Sequence, residues 1–287
     1  MIHDRVGLGW RGPLAAATLE RMAELDVVEV IAEDWTEAPR REREALAALA
    51  AASPVVLHGV SLGLASCEPA DRKRLAAMAR LVETVRPEAW SEHLAFVRAG
   101  GTEIGHLAAP PRTRASVAGA VANLEAARKV VGSAPCVENI ATLIDPPASG
   151  MGEAEWIQSI VEGAGTPMLL DLHNLYANAV NFGADPASLL QAMPIERVEM
   201  VHLAGGRWIT APSGKSRLLD DHLHEVPGTV FDLLEELAAR APRNLTVIVE
   251  RDGNFPEFDA LLGEVGRARA SLARGRARQA LADRRAA

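Results

Sequence analysis

The stretch PMLLDLHN, residues 167–174, decides the fold of this chain. Its apolar part is typical of a parallel strand buried on both faces. The run ends abruptly in Asp171, His173 and Asn174, so three side chains able to bind a metal ion or a proton stand at the carboxyl end of one strand. In barrels of alternating strands and helices, the loops at that end carry the active site. If the chain forms such a barrel, its other strands should end in polar side chains as well.

Short apolar runs alternate with amphipathic stretches rich in Ala, Leu, Arg and Glu along the whole sequence. This alternation is typical of βα units that build a parallel sheet. The length of 287 residues suits one (β/α)8 barrel, which needs about 250 residues. We therefore predict an α/β fold, a TIM barrel, as a single domain over residues 1–273, with an Arg/Ala-rich C-terminal tail over 274–287. The eight predicted strands are 6–10, 27–32, 55–58, 88–93, 134–139, 167–170, 195–202 and 244–250.

The sequence also predicts the local structure of three segments between the strands. The Gly-rich RAGGTEIGH, residues 98–106, predicts a hairpin-like excursion after the fourth strand. A short helix is expected over residues 185–192 after the sixth strand. A long loop is expected over residues 203–227 after the seventh strand.

The composition restricts the class of function. Lys and Arg number 30 against 38 Asp and Glu, a net charge of −8, which argues against a nucleic-acid partner because phosphate contacts need a basic face. The N-terminus lacks a signal-peptide pattern, and no apolar run reaches the ~18 residues of a membrane span. We therefore predict a cytoplasmic protein with no membrane partner. Cys67 and Cys136 are the two cysteines, so a metal site would use His, carboxylate and amide ligands.

Every predicted strand except the first ends in an ionisable side chain. A strand buried on both faces has no structural need for such an ending, and carboxylates gathered at one rim repel each other unless cations lie among them. The pattern therefore predicts a metal site. Glu33 is left out because the adjacent Asp34 indicates an acidic loop, and Glu92 is expected to face away from His93 in a salt bridge or cap. The strand-end candidates are His58, His93, Glu138, Asp171, His202 and Glu250.

The loop after the seventh strand contains DDHLH, residues 220–224. In extended backbone, residues at i and i+2 share a face. For Asp220 and His222 the spacing leaves a ligand and a solvated loop as alternatives, whereas Asp221 and His224 are interpreted as solvated. Asn174 is either an oxygen ligand or a cap of the following helix.

Together with Asn174, Asp220 and His222, these candidates make nine. One ion takes about 4–6 ligands, so nine ligands imply two or three metals. Nitrogen and oxygen ligands without a thiolate fit iron, manganese or zinc.

Seven strings resemble one family over residues 6–256: LHGVSLGLAS, SEHLAF, VENIATL, LLDLHNLYANAVNFG, VHLAGG, DDHLHEVP and IVERDGNFP. The family is that of the multinuclear non-haem iron-dependent oxidases, formerly a family of unknown function, which includes enzymes of methanobactin and thiaglutamate-type peptide maturation. The resemblance implies a xylose-isomerase-like barrel with two or three irons, mixed Fe(II) and Fe(III). It also implies dioxygen as co-substrate and oxidation of a residue, usually cysteine and sometimes Asp or Asn, in a ribosomally synthesised precursor peptide.

The resemblance also assigns ligands by motif. His58 of LHG, His93 of SEH and Glu138 of VEN would bind one iron. Glu138 would bridge to a second iron held by Asp171, His202 and Glu250. Asn174, Asp220 and His222 would hold the third. His173 and His224 are expected beside the ligands, and no catalytic group beyond the ligands is assigned.

The family usually works with a small partner protein that presents the precursor peptide. The Arg-rich segment from Gly266 onward either binds an acidic leader or that partner, or is a solvated helix that frays into a tail. Trp208 either lines a substrate cleft or packs on the barrel. The alternative functions are a divalent-metal hydrolase or sugar isomerase on the same barrel, for which Lys215 is the nearby lysine, and a metal-dependent scaffold that binds peptide.

Overall fold

The computed structural model describes residues 3–210 and 214–286. Its strands are β1 Arg5–Gly9, β2 Val28–Ile31, β3 Val55–Gly59, β4 Ala89–His93, β5 Phe96–Ala99, β6 Thr102–Ala108, β7 Cys136–Glu138, β8 Met168–Asp171, β9 Val198–Leu203, β10 Gly206–Thr210, β11 Ser216–Asp220 and β12 Thr246–Val249. Eight of them form a closed barrel in the order β1, β12, β9, β8, β7, β4, β3, β2. The predicted (β/α)8 barrel is therefore confirmed.

The helices are α1 Ala15–Glu20, α2 Glu33–Thr36, α3 Arg40–Ala52, α4 Arg72–Val85, α5 Arg114–Val131, α6 Glu153–Ala164, α7 Leu172–Phe182, α8 Pro186–Ala192, α9 Gly228–Ala238 and α10 Phe258–Ala286. Short 3-10 turns cover Gly12–Leu14, Met22–Glu24 and Ile195–Arg197. In the described part of the chain, no helix combines the length and the apolar character needed to cross a bilayer.

Contacts within the chain separate two compact units, residues 28–169 and a second unit made of the residues up to 27 and from 170 onward. In the unit of residues 28–169, β2, β3, β4, β7 and β8 pair in parallel one after another. Helix α5 begins with a capping box, in which the Thr113 hydroxyl accepts from the Ser116 backbone N–H and the Ser116 side chain accepts in return. The Trp156 indole of α6 donates to the Ser116 Oγ at 3.0 Å. These bonds satisfy backbone donors that a helix start leaves open and join α5 to α6.

In the other unit, β12 pairs in parallel with β1 and with β9. The hairpin of β10 and β11 lies where the sequence predicted a loop. Asn181 of α7 holds it, because its side-chain amide donates to the Leu218 carbonyl at 3.0 Å and accepts from the Leu218 N–H at 2.7 Å. Gly206 is required there, since a Cβ atom would lie 2.1 Å from the Leu219 carbonyl oxygen.

A helix was expected at the position of α7 only as the one that Asn174 would cap, and no bounds were predicted for it. The shorter helix over residues 185–192 was predicted and is present as α8. The segment that begins at Leu172 is rich in asparagine, which favours turns. Asp171 caps α7 by accepting from the Asn174 N–H at 2.6 Å, so the proposed role of Asn174 as the helix cap is wrong. Helix α10 runs through residue 273 to Ala286. The division into a domain and a tail at that point stays a prediction, and its boundary falls inside one helix.

Candidate metal centre

Three neighbouring strands bring together His58 of β3, His93 of β4 and Glu138 of β7. One ligand atom from each side chain lies within 4.8 Å of the others, and all three side chains are buried. The Nε2 atoms of His93 and His58 lie 3.2 and 3.5 Å from Glu138 Oε2. His93 and Glu138 are Cα partners in the parallel pairing, so the strand register itself places both side chains at one level. We call these three residues the first group.

The other ring nitrogen of each histidine in this group is already engaged. His93 Nδ1 lies 3.2 Å from the Gly59 carbonyl oxygen, to which it can only donate. His58 Nδ1 lies 2.8 Å from the Ser91 hydroxyl. A proton on His93 Nδ1 leaves the lone pair on Nε2, the nitrogen that faces Glu138. This is the arrangement by which a backbone carbonyl orients a metal-binding imidazole.

Two acidic residues near this group bind backbone N–H groups. Glu92 Oε2 accepts from the Leu62 N–H and Glu92 Oε1 from the His93 N–H, both at 2.9 Å. Glu33 Oε1 accepts from the Val60 N–H at 3.0 Å. Both carboxylates therefore hold the loop that follows β3.

Glu29 was missed by the sequence reasoning. It is a fully buried carboxylate within β2, and one of its oxygens lies within 4.8 Å of a His58 ring nitrogen. The signal was present, since a glutamate interrupts the apolar run of the second strand. It was overlooked because only the strand ends were considered.

Asp171, His222 and Glu250 form a second group of three, again with one ligand atom each within 4.8 Å of the others. Asp171 ends β8, Glu250 directly follows β12, and His222 lies two residues beyond β11. His222 has a φ of 54°, the left-handed conformation that costs a residue with a Cβ about 1–2 kcal/mol. We call these residues the second group.

Further predicted residues lie against the second group. His202 Nδ1 is 3.0 Å from Glu250 Oε2, and His222 Nδ1 is 3.5 Å from the same oxygen. Asp220 Oδ1 lies 3.0 Å from His222 Nε2 and 2.7 Å from His173 Nδ1. His173, which is fully buried, therefore contacts the predicted ligand Asp220 through this bond. Asn174 is buried in the first turn of α7.

Charges within this cluster shift two pKa values. Burial raises the pKa of Asp220, but the charge of His222 and the hydrogen bonds from His173 and His222 outweigh it and hold that pKa below its usual range. Burial lowers the pKa of His222, but the negative charges of Asp220 and Glu250 outweigh it and raise that pKa well above the usual value. The cluster therefore favours bound positive charge.

Arg11 and Asp252 were also missed. The Arg11 guanidinium contacts Asp252 Oδ1 through Nε at 2.8 Å and Nη2 at 2.6 Å, and Nη2 lies 3.5 Å from Glu250 Oε1. Asp252 Oδ2 lies 3.4 Å from His222 Nδ1. A Cβ atom on Gly9 would lie 2.9 Å from Arg11 Nη1. The glycine at the end of β1 thus leaves space for the guanidinium group of Arg11.

The remaining candidates belong to neither group. His224 Nδ1 is 2.9 Å from Asp221 Oδ1, which also accepts from the Leu223 N–H, and His224 is half-buried. Trp208 is exposed on β10. Lys215 is exposed beside the start of β11.

The chain is similar to known proteins both in sequence and in fold. A UPF0276 protein of Streptomyces avermitilis is 40% identical over 274 residues, which cover 93% of this chain and 54% of that protein. The chain thus spans about half the length of this relative. A D-psicose 3-epimerase from Clostridium cellulolyticum H10, solved with D-tagatose, has a TM-score of 0.61 at 13% identity, over 96% of this chain and 99% of that chain.

A xylose isomerase domain containing protein from Salmonella typhimurium LT2 has a TM-score of 0.60 at 14% identity, over 95% of this chain and 98% of that chain. Such low identities show the fold alone, and they confirm the xylose-isomerase-like type of barrel. A family model described as "RiPP precursor modification enzyme MbnB/TglH/ChrH" matches residues 5–273. The chain therefore belongs to the MbnB/TglH/ChrH family of RiPP precursor modification enzymes.

Proposed function

We propose that this protein is a multinuclear non-haem iron enzyme that uses dioxygen to oxidise a residue, preferentially cysteine, of a ribosomally synthesised precursor peptide. Membership in a family of precursor-modifying enzymes supports the peptide substrate. The observation that carries the proposal is the presence of two groups, one buried and one buried except for a partly exposed His222, each with three histidine or carboxylate donors within 4.8 Å.

The donor chemistry of both groups fits iron. The first group offers two imidazoles and a carboxylate, and the second offers two carboxylates and an imidazole. Imidazole and carboxylate without thiolate are suitable ligands for iron, whereas manganese and zinc accept the same atoms. Three protein donors leave coordination positions open on an ion that takes about 4–6 ligands.

We assign the ligands as the motifs imply. His58, His93 and Glu138 hold one iron in the first group. Two or three irons in total use the nine residues His58, His93, Glu138, Asp171, Asn174, His202, Asp220, His222 and Glu250. The bond between His173 and Asp220 supports a role for His173 in orienting that carboxylate.

Iron held by these residues would supply one-electron redox chemistry with dioxygen. The residues of the chain supply orientation and charge. The Gly59 carbonyl holds the proton of His93 on Nδ1. The carboxylates offset the positive charge of the metal, and their burial strengthens that interaction because little water screens it.

Metal analysis tests this function directly. Protein expressed with ample iron should contain two or three irons per chain and consume dioxygen in the presence of its precursor peptide. The double variant His58→Ala/Glu138→Ala should lose iron. His106→Ala is the matched control, because His106 is an exposed histidine on β6, and it should keep the full iron content.

Other metal contents would contradict the proposal. Stoichiometric zinc or manganese that persists under iron-rich expression would favour the hydrolase or isomerase alternative. A full metal complement without dioxygen consumption would favour the peptide-binding scaffold. An iron content unchanged in the double variant would contradict the ligand assignment.

A further inference from the structure

A cleft of about 740 Å³ opens on the unit of residues 28–169. One wall is α4, the other is α2 and the residue that follows it, and the floor is the loop after β3. Its volume lies within the range of about 300–1,000 Å³ that is usual for ligand sites. The charged residues of its lining are Glu33, Glu37, Arg72, Lys73, Arg74 and Arg80.

The α4 wall is basic, and three of its positive charges can bind a ligand. Arg72, Lys73 and Arg80 are exposed and have no ion-pair partner among the described residues. Arg74, also on this wall, is engaged, since it donates to the Ser61 carbonyl and to Glu103, each at 2.8 Å.

The opposite wall carries two carboxylates, Glu33 and Glu37. Glu33 already accepts from the Val60 N–H. The lining therefore holds four cations against two carboxylates, in a chain whose net charge is −8.

The Arg-rich helix α10 differs from this wall, because most of its arginines are already paired. Arg274 contacts Glu235 at 2.6 Å, and Arg278 contacts Glu236 at 2.7 Å. Arg276 binds Asp4 with two nitrogens, at 2.8 and 2.9 Å, and Arg269 contacts Asp26 at 3.0 Å. Arg267 lies over the Phe231 ring at 4.0 Å. These pairs stabilise the helix on its own unit and leave little charge for an acidic ligand.

The cleft also lies close to the first group along the chain. Ser61 in its floor is three residues after His58. The carboxyl end of a barrel strand is where substrates reach the site. A peptide segment held by α4 would therefore lie beside the strand end that carries His58.

We propose that this cleft binds an acidic segment of the precursor peptide, with its carboxylates on Arg72, Lys73 and Arg80. The proposal rests on the proposed function, because it takes the substrate to be a peptide. It places the docking surface for the acidic segment on α4 rather than on α10. Exposed ion pairs are individually weak and screened by salt, so binding should require several acidic residues and should weaken as the salt concentration rises.

The test uses fluorescence anisotropy with a fluorescein-labelled synthetic peptide in which glutamate alternates with glycine. The same peptide with glutamine in place of glutamate reports binding that does not depend on charge. The double variant Arg72→Glu/Lys73→Glu should weaken glutamate-peptide binding by about tenfold at low salt. Folding should be retained, because glutamate is favourable in the first turn of a helix.

The matched control is Arg284→Glu/Arg285→Glu, which makes the same change in net charge at two exposed positions of α10. It should leave binding within about twofold of wild type, because neither arginine lines the cleft. Equal losses in both double variants, or equal binding of the glutamine peptide, would overturn the proposal. So would equally tight binding of a DNA oligonucleotide of the same charge.

Iron content of the same preparations separates this inference from the proposed function. The α4 variant should keep wild-type iron, because neither substituted residue is a proposed ligand. Unchanged peptide binding in an iron-replete α4 variant would overturn the docking surface alone. Absence of iron from the wild type would overturn the proposed oxidase function, while the effect of the α4 substitutions on peptide binding would still decide the docking surface.

Discussion

Arg11→Met should weaken metal binding by the second group, although the substitution replaces none of the proposed ligands. In the wild type, Arg11 faces Glu250 Oε1, while Glu250 Oε2 faces His202 and His222. The two carboxylate oxygens of Asp252 also contact different partners, since Oδ1 contacts Arg11 and Oδ2 faces His222 Nδ1. Arg11 thus orients one proposed ligand directly and a second through Asp252. Methionine keeps much of the side-chain volume and removes the charge and the donors.

The expected loss of unfolding free energy depends on how exposed the side chains of the ion pairs are. The Arg11 side chain is 12% exposed, Glu250 4% and Asp252 44%. Removing one partner of a fully buried pair costs about 3–5 kcal/mol, and of an exposed pair about 0–1 kcal/mol. An intermediate loss of about 2 kcal/mol in the unfolding free energy of the metal-free protein is expected. Loss of such an outer contact weakens metal binding by about 10–100-fold.

Two assays check this expectation. Urea denaturation of metal-free protein measures the stability loss, and iron retention against graded chelator measures the loss of metal affinity. Arg112→Met is the matched control, because Arg112 is also 12% exposed and pairs with Asp145 and Glu153 outside both groups. We expect the control to lose stability while it retains iron like the wild type. Equal iron retention in both variants would refute the positioning role of Arg11.

Four further substitutions test the fold by denaturant unfolding. Thr113→Ala removes the α5 cap and should cost about 1 kcal/mol; no loss would mean that the capping box contributes nothing. Gly206→Ala places a Cβ atom 2.1 Å from the Leu219 carbonyl oxygen and should cost about 2 kcal/mol or more. Gly228→Ala meets no atom within 4 Å and should be neutral or slightly stabilising; equal effects of the two alanines would contradict the close approach. Burial raises the pKa of Glu264 above 4.5, so the folded protein holds that proton more tightly than the unfolded chain. Stability should therefore fall as the pH rises from 4.5 through the raised pKa, and Glu264→Gln should remove that part of the slope. An unchanged slope in the variant would contradict the shift.

Much of the barrel could be predicted because buried parallel strands are apolar runs with abrupt polar ends. The third strand was predicted to end at His58, one residue before β3 ends at Gly59. The hairpin predicted from RAGGTEIGH is present as β5 and β6. Such features depend on residues that are close together in the sequence.

The extent of helix α7 and the hairpin of β10 and β11 could not be predicted in this way. Asn174, Asn178 and Asn181 favour turns by local preference, yet all three are buried in α7. Asn181 is satisfied by both backbone groups of Leu218, which is 37 residues away. Tertiary bonds of this kind override propensity, so the helix and the hairpin stabilise each other.

The sequence alone determined the type of barrel and the polar side chains at the carboxyl ends of its strands, because strand periodicity and burial are local properties. Only the tertiary structure decided which atoms of those side chains face each other. The approach of His93 Nε2 to Glu138 depends on strand register, and the contacts of Arg11 with Asp252 and Glu250 join residues more than 200 positions apart. Register and long-range side-chain contacts arise only when the chain has folded, so local patterns do not encode them.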